Sequence, residues 1–327
     1  MKNSAKINVL FISRDIKSYK QGNYYKEWFD AFSKNERVNI TLISFDQINE
    51  VENYNLIIFS HSFIDDIQNY LKLTRRFPFK FFPRIKRFRR LIICRNKIIQ
   101  KLARCESPKI FLSKNDYKLF DIKSSIAKNL KVDLFITHTK KAIEIFSDKL
   151  KCEILWIPFS ISEHNFKKTT DHKFDLGFRA NFNDLYNLGI RKKFFNSLKL
   201  LESKYKFDLS GSYNGENFLH GKEYIDWLSS CKLLANTESA FGTVGPKFFE
   251  AIACGCVNIC PEAEYEGMLY PDIHYVSVKK DFSNLNEKIS FFLKDENYRS
   301  QIIENSNIIL KNNYIENYID SILNKYF

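Results

Sequence analysis

Short apolar runs alternate with segments of helical periodicity along the first half of the chain. The runs are rich in Val, Ile, Leu and Phe and have the length of strands that are buried on both faces. Strands are predicted at residues 7–12, 38–43, 56–59, 109–112, 134–137 and 153–157. Helices are predicted near residues 24–33, 121–130 and 141–150. This alternation is typical of a parallel sheet wrapped by helices.

A second alternation follows the polar stretch of residues 158–173, which indicates a domain exit and a linker. Its strands are predicted at residues 173–178, 207–211, 232–235 and near Val257, and its helices at 189–205, 221–230, around Glu250 and at 284–294. Residues 314–326 place apolar side chains on one face of a final helix. We therefore predict domains at residues 1–158 and 173–312 and a terminal helix at 313–327.

The composition agrees with two globular domains. At 327 residues, with 44% hydrophobic and 16% aromatic content, the chain can bury two cores. Its longest apolar runs fall far short of the roughly 20 residues that span a bilayer. The first residues lead directly into a strand and do not resemble a signal peptide. We expect a cytoplasmic protein, and the seven cysteines, odd in number and irregularly spaced, agree with a reducing compartment.

The net charge of +13 is concentrated in residues 72–104. This basic segment contains 13 Lys and Arg residues and no acid, so the rest of the chain is balanced. Five Phe and two Pro residues predict a partly irregular insertion. Contact with an anionic membrane surface, or with a membrane-borne acceptor, is the first interpretation. A solvated loop is the second, and nucleic-acid binding through the same charges is a distant third.

Residues 245–255 predict a helix whose start can hold an anion. Pro246 suits the first helical position and Gly255 suits a left-handed cap. The backbone amides of residues 243–245 and the positive end of the helix form a phosphate-sized site, with Lys247 one residue further. Glu250, one turn deeper, can accept hydrogen bonds from the two hydroxyls of a ribose. The alternative is an ordinary amphipathic helix.

Three segments around this helix carry a family resemblance: residues 231–239, 245–255 and 257–261. Together they resemble the nucleotide-sugar half of GT-B glycosyltransferases, and most closely the group-1 branch that includes spore-maturation-type proteins. The resemblance covers residues 174–312. That branch carries an arginine where this chain has Lys247, and a lysine supplies a charge without the bidentate fork of an arginine.

The resemblance implies an α/β chain of GT-B fold. In this fold two Rossmann-like domains face each other across a cleft, and the C-terminal helix packs back on the N-terminal domain. It also implies that the second domain binds a nucleotide-diphosphate sugar. The residues expected to bind it are Arg179, Arg191, Lys192, Tyr213, Thr237, Glu238, Thr243, Val244, Gly245, Lys247 and Glu250.

The grounds for these donor-site residues differ. Arg191 occupies the position of a phosphate-binding arginine in the family, and the neighbouring Arg179 and Lys192 are as well explained by surface charge. Thr237 and Glu238 follow a predicted strand and so emerge at the carboxyl edge of the sheet. Tyr213 follows another strand, where stacking on the base and simple loop packing are both open.

On the acceptor side, polar residues follow four predicted strands of the first domain: Asp15, His61, Asp116 and His138. An inverting transferase needs a general base against the acceptor hydroxyl, whereas a retaining one uses such groups to position the sugar. Any one of these residues is more often a satisfied polar group at a strand end than a catalyst. Of the four, we predict Asp116 and His138 as the catalytic candidates.

No metal or cofactor is expected beyond the nucleotide-sugar substrate. The sequence lacks the Asp-x-Asp pattern with which other glycosyltransferases hold a divalent ion, and it lacks dinucleotide and Walker fingerprints. Cys254, Cys256 and Cys260 lack the paired short spacings of a zinc site and are interpreted as buried thiols.

The resemblance, together with the pattern of residues 245–255, implies a metal-independent glycosyltransferase. It is expected to move a sugar from a nucleotide-diphosphate sugar to a glycan or lipid-linked acceptor in surface polysaccharide assembly, at the inner membrane face. Two alternatives remain: a non-catalytic GT-B binding or scaffold module, which Lys247 keeps open, and a nucleic-acid-binding protein, which the basic segment suggests.

Overall fold

A computed structural model describes residues 5–13, 24–48, 51, 53–64, 97–182, 188–212 and 219–327. Three sequence predictions lie outside the described residues. These are Asp15, Tyr213 and most of the basic segment, residues 72–96.

The first domain is built on a six-stranded parallel sheet of order β2-β1-β3-β4-β5-β6. Its strands are β1 Ile7–Ile12, β2 Val38–Ile43, β3 Leu56–Phe59, β4 Lys109–Leu112, β5 Leu134–Thr137 and β6 Glu153–Trp156. Three of the four interior strands, β3, β4 and β5, are buried along their whole length. Continuous burial is expected of a parallel sheet that helices cover on both faces.

Within the described residues, the helices that accompany this sheet include α1 Tyr24–Lys34, α2 Lys97–Arg104, α3 Phe120–Leu130 and α4 Ala142–Ser147. A short 3-10 turn, Phe45–Gln47, follows β2. The core of the domain packs aromatic rings between sheet and helices, with Phe111 stacked on Phe135 at 5.3 Å between centroids and Phe135 against Phe146 at 4.5 Å.

The second domain contains a five-stranded parallel sheet of order β11-β10-β9-β7-β8. Its strands are β7 Phe174–Asn181, β8 Phe207–Ser212, β9 Cys231–Ala235, β10 Val257–Pro261 and β11 Val276–Val278. The helices are α5 Leu188–Lys199, α6 Gly221–Ser229, α7 Pro246–Ala253, α8 Leu285–Lys294 and α9 Glu296–Asn312. Two hydrophobic clusters form its core. One includes Phe248 of α7 and Trp227 of α6, and the other includes Phe194 of α5 and Phe292 of α8.

The last helix, α10 Ile315–Tyr326, packs on the first domain with its final turns. Asn35 donates a hydrogen bond to Asp320 at 3.0 Å, and Arg37 donates one to Asn324 at 2.6 Å. Lys325 forms an ion pair with Glu153 at the start of β6. The expectation that the terminal helix packs back on the N-terminal domain is confirmed.

The predicted rhythm of strands and helices is confirmed, with differences at particular elements. The helix predicted at 189–205 ends at Lys199. Helix α2 lies inside the segment that we predicted as an irregular insertion, and Ile99 and Leu102 join the core, so this part belongs to the domain framework. Helix α9 and strand β11 were not predicted. Among the described residues, no helix combines the length and the apolarity needed to cross a membrane.

Candidate functional site

Helix α7 begins at the carboxyl edge of the second sheet, between β9 and β10. Gly245 precedes it in an extended conformation and Pro246 occupies its first position, as the sequence predicts. At the other end Gly255 has a φ of +75°, where a side chain would be strained. The N–H of Gly255 donates to Ile252 and that of Cys256 donates to Ala251, both at 2.9 Å, which closes the helix with a Schellman motif.

The loop before α7 is compact and allows little side-chain volume. The N–H of Ser239 donates to the carbonyl of Thr243 at 2.8 Å, and Gly242 turns the chain with a φ of +77°. A Cβ at Gly245 would lie 3.0 Å from the hydroxyl of Ser239. Thr243 and Val244 are buried. The backbone of residues 243–245 is therefore fixed at the positive end of α7, where the sequence predicts an anion.

Basic side chains from three elements converge beside this helix start. Lys247 donates from Nζ to the carbonyl oxygen of Arg179 on β7 at 2.6 Å. Arg191 on α5 donates from Nε to the hydroxyl of Thr237 at 3.2 Å. Burial and the charges of Arg191 and Arg179 together lower the pKa of Lys247 to about 8, although Glu250 acts in the opposite direction. The structure thus brings together five residues that the sequence predicts as donor-binding.

Arg179 is held in place by residues that the sequence analysis did not select. Its guanidinium donates to Asp208 of β8 at 2.7 Å and lies 5.0 Å from the centre of the Trp227 ring. Trp227 donates from Nε1 to the same Asp208 oxygen at 2.8 Å. The Arg179 side chain is therefore fixed by an ion pair and a cation–π contact, while its carbonyl oxygen holds Lys247.

Glu250 is buried on α7 and accepts a hydrogen bond from the hydroxyl of Tyr224 at 2.6 Å. The Tyr224 ring stacks on that of Trp227 with 6.0 Å between centroids. Burial, together with the charge of Glu250, raises the pKa of Tyr224 well above its usual value, so the hydroxyl stays protonated and donates. Tyr224 and Trp227 are three residues apart on α6 and share one face, but that spacing is common to core-facing helices and does not mark a site.

The remaining donor-site predictions lie around this group. Glu238 is half-buried, and its carboxylate would be 3.5 Å from a Cβ placed at Gly242. The hydroxyl of Thr243 donates to Glu266 at 3.4 Å. Lys192 is exposed on α5, next in sequence to Arg191. Successive helical residues point about 100° apart, so Lys192 does not share the direction of Arg191.

In the first domain, Asp116 lies after β4 in a fully buried polar cluster. Lys123 of α3 donates to one carboxylate oxygen at 2.6 Å, and Ser113 donates to the same oxygen. The other oxygen accepts from the hydroxyl of Thr137 at 2.7 Å and from the N–H of His138 at 3.3 Å. Burial alone would raise the pKa of Asp116, but the charge and hydrogen bond of Lys123, together with the hydrogen bonds of Ser113 and Thr137, lower it. The carboxylate is therefore ionised and already surrounded by donors.

The structure places His138 beside Asp116 and buries it fully. Its Nδ1 lies 2.7 Å from the carbonyl oxygen of Ile157, so Nδ1 carries the proton and Nε2 is the accepting nitrogen of the ring. Burial lowers the pKa of His138 to about 4. His61, after β3, is also buried, and burial with the charge of Lys123 lowers its pKa to about 3. Both imidazoles are therefore neutral at pH 7.

The cysteines of the second domain are buried thiols. Burial raises the pKa of Cys254 and of Cys260 to about 12, so neither is a thiolate at neutral pH. Within the part of the chain that the structure describes, no three His, Cys, Asp or Glu side chains are grouped to hold a metal ion.

Comparisons with known proteins gave one family match and several matches to solved structures. A family model described as glycosyl transferase-like matches residues 191–324, a span that begins at Arg191 and includes Lys247 and Glu250. A search of curated protein sequences gave no match.

Solved structures match over nearly the whole chain. A sucrose-phosphate synthase from Thermosynechococcus elongatus has a TM-score of 0.59 at 9% identity, covering 98% of this chain and 99% of its own. Anabaena HepE in complex with UDP and glucose has a TM-score of 0.58 at 10% identity, covering 98% and 100%. The T4 phage β-glucosyltransferase has a TM-score of 0.57 at 12% identity, covering 98% and 99%. The chain therefore has the GT-B fold.

Proposed function

We propose that this protein is a glycosyltransferase whose donor is a nucleotide-diphosphate sugar bound at the start of α7. The observation that carries the proposal is the convergence of Arg191, Lys247 and Arg179 beside the N-terminus of α7, with Glu250 one turn deeper. The glycosyl transferase-like family match includes most of these residues, and a fold neighbour was solved with UDP and glucose.

Glycosyl transfer needs charge to be stabilised on the departing nucleoside diphosphate. Arg191, Lys247 and the helix N-terminus supply this charge in our proposal. Lys247 replaces the arginine of the resembling branch, so it acts as a point charge and not as a bidentate fork. Glu250 cannot hold a phosphate, and its carboxylate accepts hydrogen bonds from the ribose instead. Transfer without a metal stays part of the proposal, together with the remaining donor-site residues.

On the acceptor side we propose that Asp116 and His138 act as a unit. Asp116 is enclosed by Lys123, Ser113 and Thr137, so it contributes by positioning the backbone of His138. His138 is neutral and has its tautomer set by Ile157, which suits a general base. In a retaining reaction the same pair would position the donor sugar.

The biological setting is a further part of the proposal. We propose an enzyme of surface polysaccharide assembly, of the spore-maturation-type branch, that acts at the inner membrane face on a glycan or lipid-linked acceptor. The excess of basic residues in 72–104 supports contact with an anionic membrane, at roughly 1 kcal/mol for each charge near the headgroups.

The proposal is tested by nucleotide binding and then by turnover. Thermal unfolding with UDP, ADP, GDP, CDP and dTDP should single out a binder that stabilises the protein by about 2.7 kcal/mol at a hundredfold excess over its Kd. Glu250→Ala should remove this stabilisation, because the ribose loses its acceptor. Glu223→Ala on the exposed face of α6 is the matched control and should bind as the parent does. A panel without any binder, or equal binding by Glu250→Ala, would contradict the proposed site.

A non-catalytic GT-B module is the second candidate. The observation in its favour is that the Lys247 ammonium, in the place of an arginine, is hydrogen-bonded to the carbonyl of Arg179. Release of sugar or nucleotide from the cognate nucleotide-sugar, lost in Arg191→Met and in Glu250→Ala, would exclude the module. Tight nucleotide binding without hydrolysis or transfer would favour it.

A further inference from the structure

The bonding of Lys247 does not require its side chain to be charged. Among the described residues, its Nζ has one hydrogen-bond partner, the carbonyl oxygen of Arg179 at 2.6 Å, and no carboxylate forms an ion pair with it. A carbonyl oxygen accepts from a neutral amine as well as from an ammonium. A neutral Nζ can therefore keep this bond and still carry a lone pair.

The charges around Nζ favour the neutral amine. Two guanidinium groups from different elements, Arg191 on α5 and Arg179 on β7, repel a charge on Lys247. Glu250 acts in the opposite direction, but its carboxylate already accepts from Tyr224 at 2.6 Å. The Lys247 pKa of about 8 agrees with this balance. At pH 7.5 about a quarter of the molecules would then carry a neutral Nζ, against roughly one in a thousand for an ordinary lysine.

The same surroundings attract a phosphate group to this amine. The two guanidinium charges and the positive end of α7 lie beside Nζ, and the Lys247 side chain is partly exposed, so a small molecule can reach it. A lysine amine that neighbouring cations and desolvation hold neutral is a nucleophile. A phosphate ester offers it no carbonyl carbon to attack. An acyl phosphate does, because its acyl carbon is electrophilic and phosphate is a good leaving group.

We propose that Lys247 is a site of covalent acylation by small acyl phosphates, whose phosphate group is drawn to the basic side chains at the start of α7. The Nζ lone pair attacks the acyl carbon, and the bond from that carbon to the bridging phosphate oxygen breaks. Inorganic phosphate leaves with the electron pair, and the nitrogen loses one proton to solvent. The products are an amide on Lys247 and free phosphate. This modification goes beyond glycosyl transfer and uses the anion site of the proposed function.

The amide would change the site in two ways. It is neutral, so the charge that we propose for the donor diphosphate is lost, and the acyl group adds volume beside the start of α7. Its remaining N–H can still donate to the carbonyl of Arg179. Acylation of Lys247 should therefore switch off donor binding, and a bound donor should in turn protect Lys247.

The test follows acetylation of the intact protein by acetyl phosphate at pH 7.5, with peptide mass spectrometry to measure the rate at each lysine. Lys193, which is exposed on α5, is the internal control. Lys247 should react at least about tenfold faster than Lys193, and its rate should saturate with acetyl phosphate and fall when inorganic phosphate or pyrophosphate is added. The rate at Lys193 should rise linearly and be unaffected by either ion. Equal rates at the two lysines, or no protection of Lys247 by phosphate, would overturn the proposal.

A variant and a second reagent separate phosphate attraction from amine reactivity. Arg191→Met should slow acetylation of Lys247 by about tenfold, because it removes a charge that attracts phosphate and disfavours the ammonium. Lys199→Met, at the end of the same helix, should stay within about twofold of the parent. N-hydroxysuccinimidyl acetate needs no variant and carries no phosphate, so with it the preference for Lys247 over Lys193 should be smaller. An equal preference with both reagents would show that phosphate does not direct the reaction.

The outcomes distinguish this modification from the proposed function. If inorganic phosphate protects Lys247 but no nucleoside diphosphate binds or protects, the modification stands and the proposed function is wrong. If a nucleoside diphosphate binds and Lys247 reacts no faster than Lys193, the modification alone is wrong. If both are right, the acetylated protein should bind the cognate nucleotide at least about tenfold more weakly than the unmodified protein.

Discussion

The two polar clusters at the sheet edges, one around Lys247 and one around Asp116, differ in how their charges are balanced. Like charges on Arg191 and Arg179 add to the effect of burial in lowering the pKa of Lys247. Asp116 has a low pKa for the opposite reason, because Lys123 and three further donors surround it and outweigh its burial. The cluster around Lys247 would be stabilised by a bound anion. In the cluster around Asp116, the charges of Asp116 and Lys123 already balance each other.

This difference supports the proposal that the edge around Lys247 binds a charged ligand. A buried ion pair with four donors on one carboxylate holds the loop after β4 in place, and Lys123 also donates to the carbonyls of Lys114 and Asn115 at 2.7 and 3.0 Å. A group of basic side chains at a helix N-terminus is instead stabilised when phosphate arrives. Polar clusters at the carboxyl edges of two parallel sheets can thus differ in role. In our proposal one holds a loop in place and the other binds a phosphate.

The largest expected effect comes from disrupting the cluster around Asp116. Lys123→Met should lower the free energy of unfolding by about 3–5 kcal/mol, because it leaves the Asp116 carboxylate buried without its counter-charge. Urea denaturation measures this loss. Lys247→Met is the matched control in the other cluster, and it should change stability by less than about 1 kcal/mol, since it also removes a like-charge repulsion.

A double variant sharpens the same comparison. Lys123→Met with Asp116→Asn removes both charges and should recover part of the lost stability. Equal losses from Lys123→Met and Lys247→Met would show that the two clusters do not differ in the way described.

The second expected effect is on nucleotide binding at the cluster around Lys247. Lys247→Met should weaken the affinity for the cognate nucleoside diphosphate roughly tenfold to a hundredfold, since it removes a charge-assisted hydrogen bond to phosphate. Calorimetry with the nucleotide and with pyrophosphate measures it. Lys193→Met, an exposed lysine on α5, should bind within about twofold of the parent. A loss in Lys193→Met as large as in Lys247→Met would indicate general charge attraction and no defined site.

The smallest effect is a dependence on pH. The Lys247 pKa of about 8 must rise when an anion binds, so the bound state holds a proton that the free state loses above pH 8. Nucleotide affinity should be constant near pH 7 and should fall by up to about tenfold per unit as pH rises through 8. Calorimetry at pH 8 in buffers of different ionisation enthalpy should show proton uptake that Lys247→Met abolishes. Proton release, or uptake that persists in the variant, would contradict it.

Much of the fold and part of the site are predictable from local sequence. Pro246 and Gly255 mark the ends of α7, and the buried strands stand out as apolar runs. Lys247 and Glu250 could be selected because charge near a helix start after a strand has a physical meaning. Family resemblance supplied Arg191.

The unpredicted parts depend on contacts between distant elements. Tyr224 and Asp208 meet α7 and β7 through packing, and neither stands out from an ordinary helix or strand position. Lysines are seldom fully buried, so nothing marked Lys123 as the partner of Asp116. Helix α2 was missed because its basic residues suggested an insertion, although Ile99 and Leu102 have helical spacing. The roles of Asp116 and His138 stay predictions.

The stacking of Trp227 has an optical consequence. Its indole lies against Tyr224, bonds through Nε1 to Asp208 and has the Arg179 guanidinium over its face. The emission of an indole responds to nearby charge, and the other two tryptophans, Trp28 and Trp156, lie in the first domain. An anion that binds beside Arg179, as proposed, would change the electric field at Trp227, so the fluorescence of Trp227 would report occupancy of the proposed site at α7.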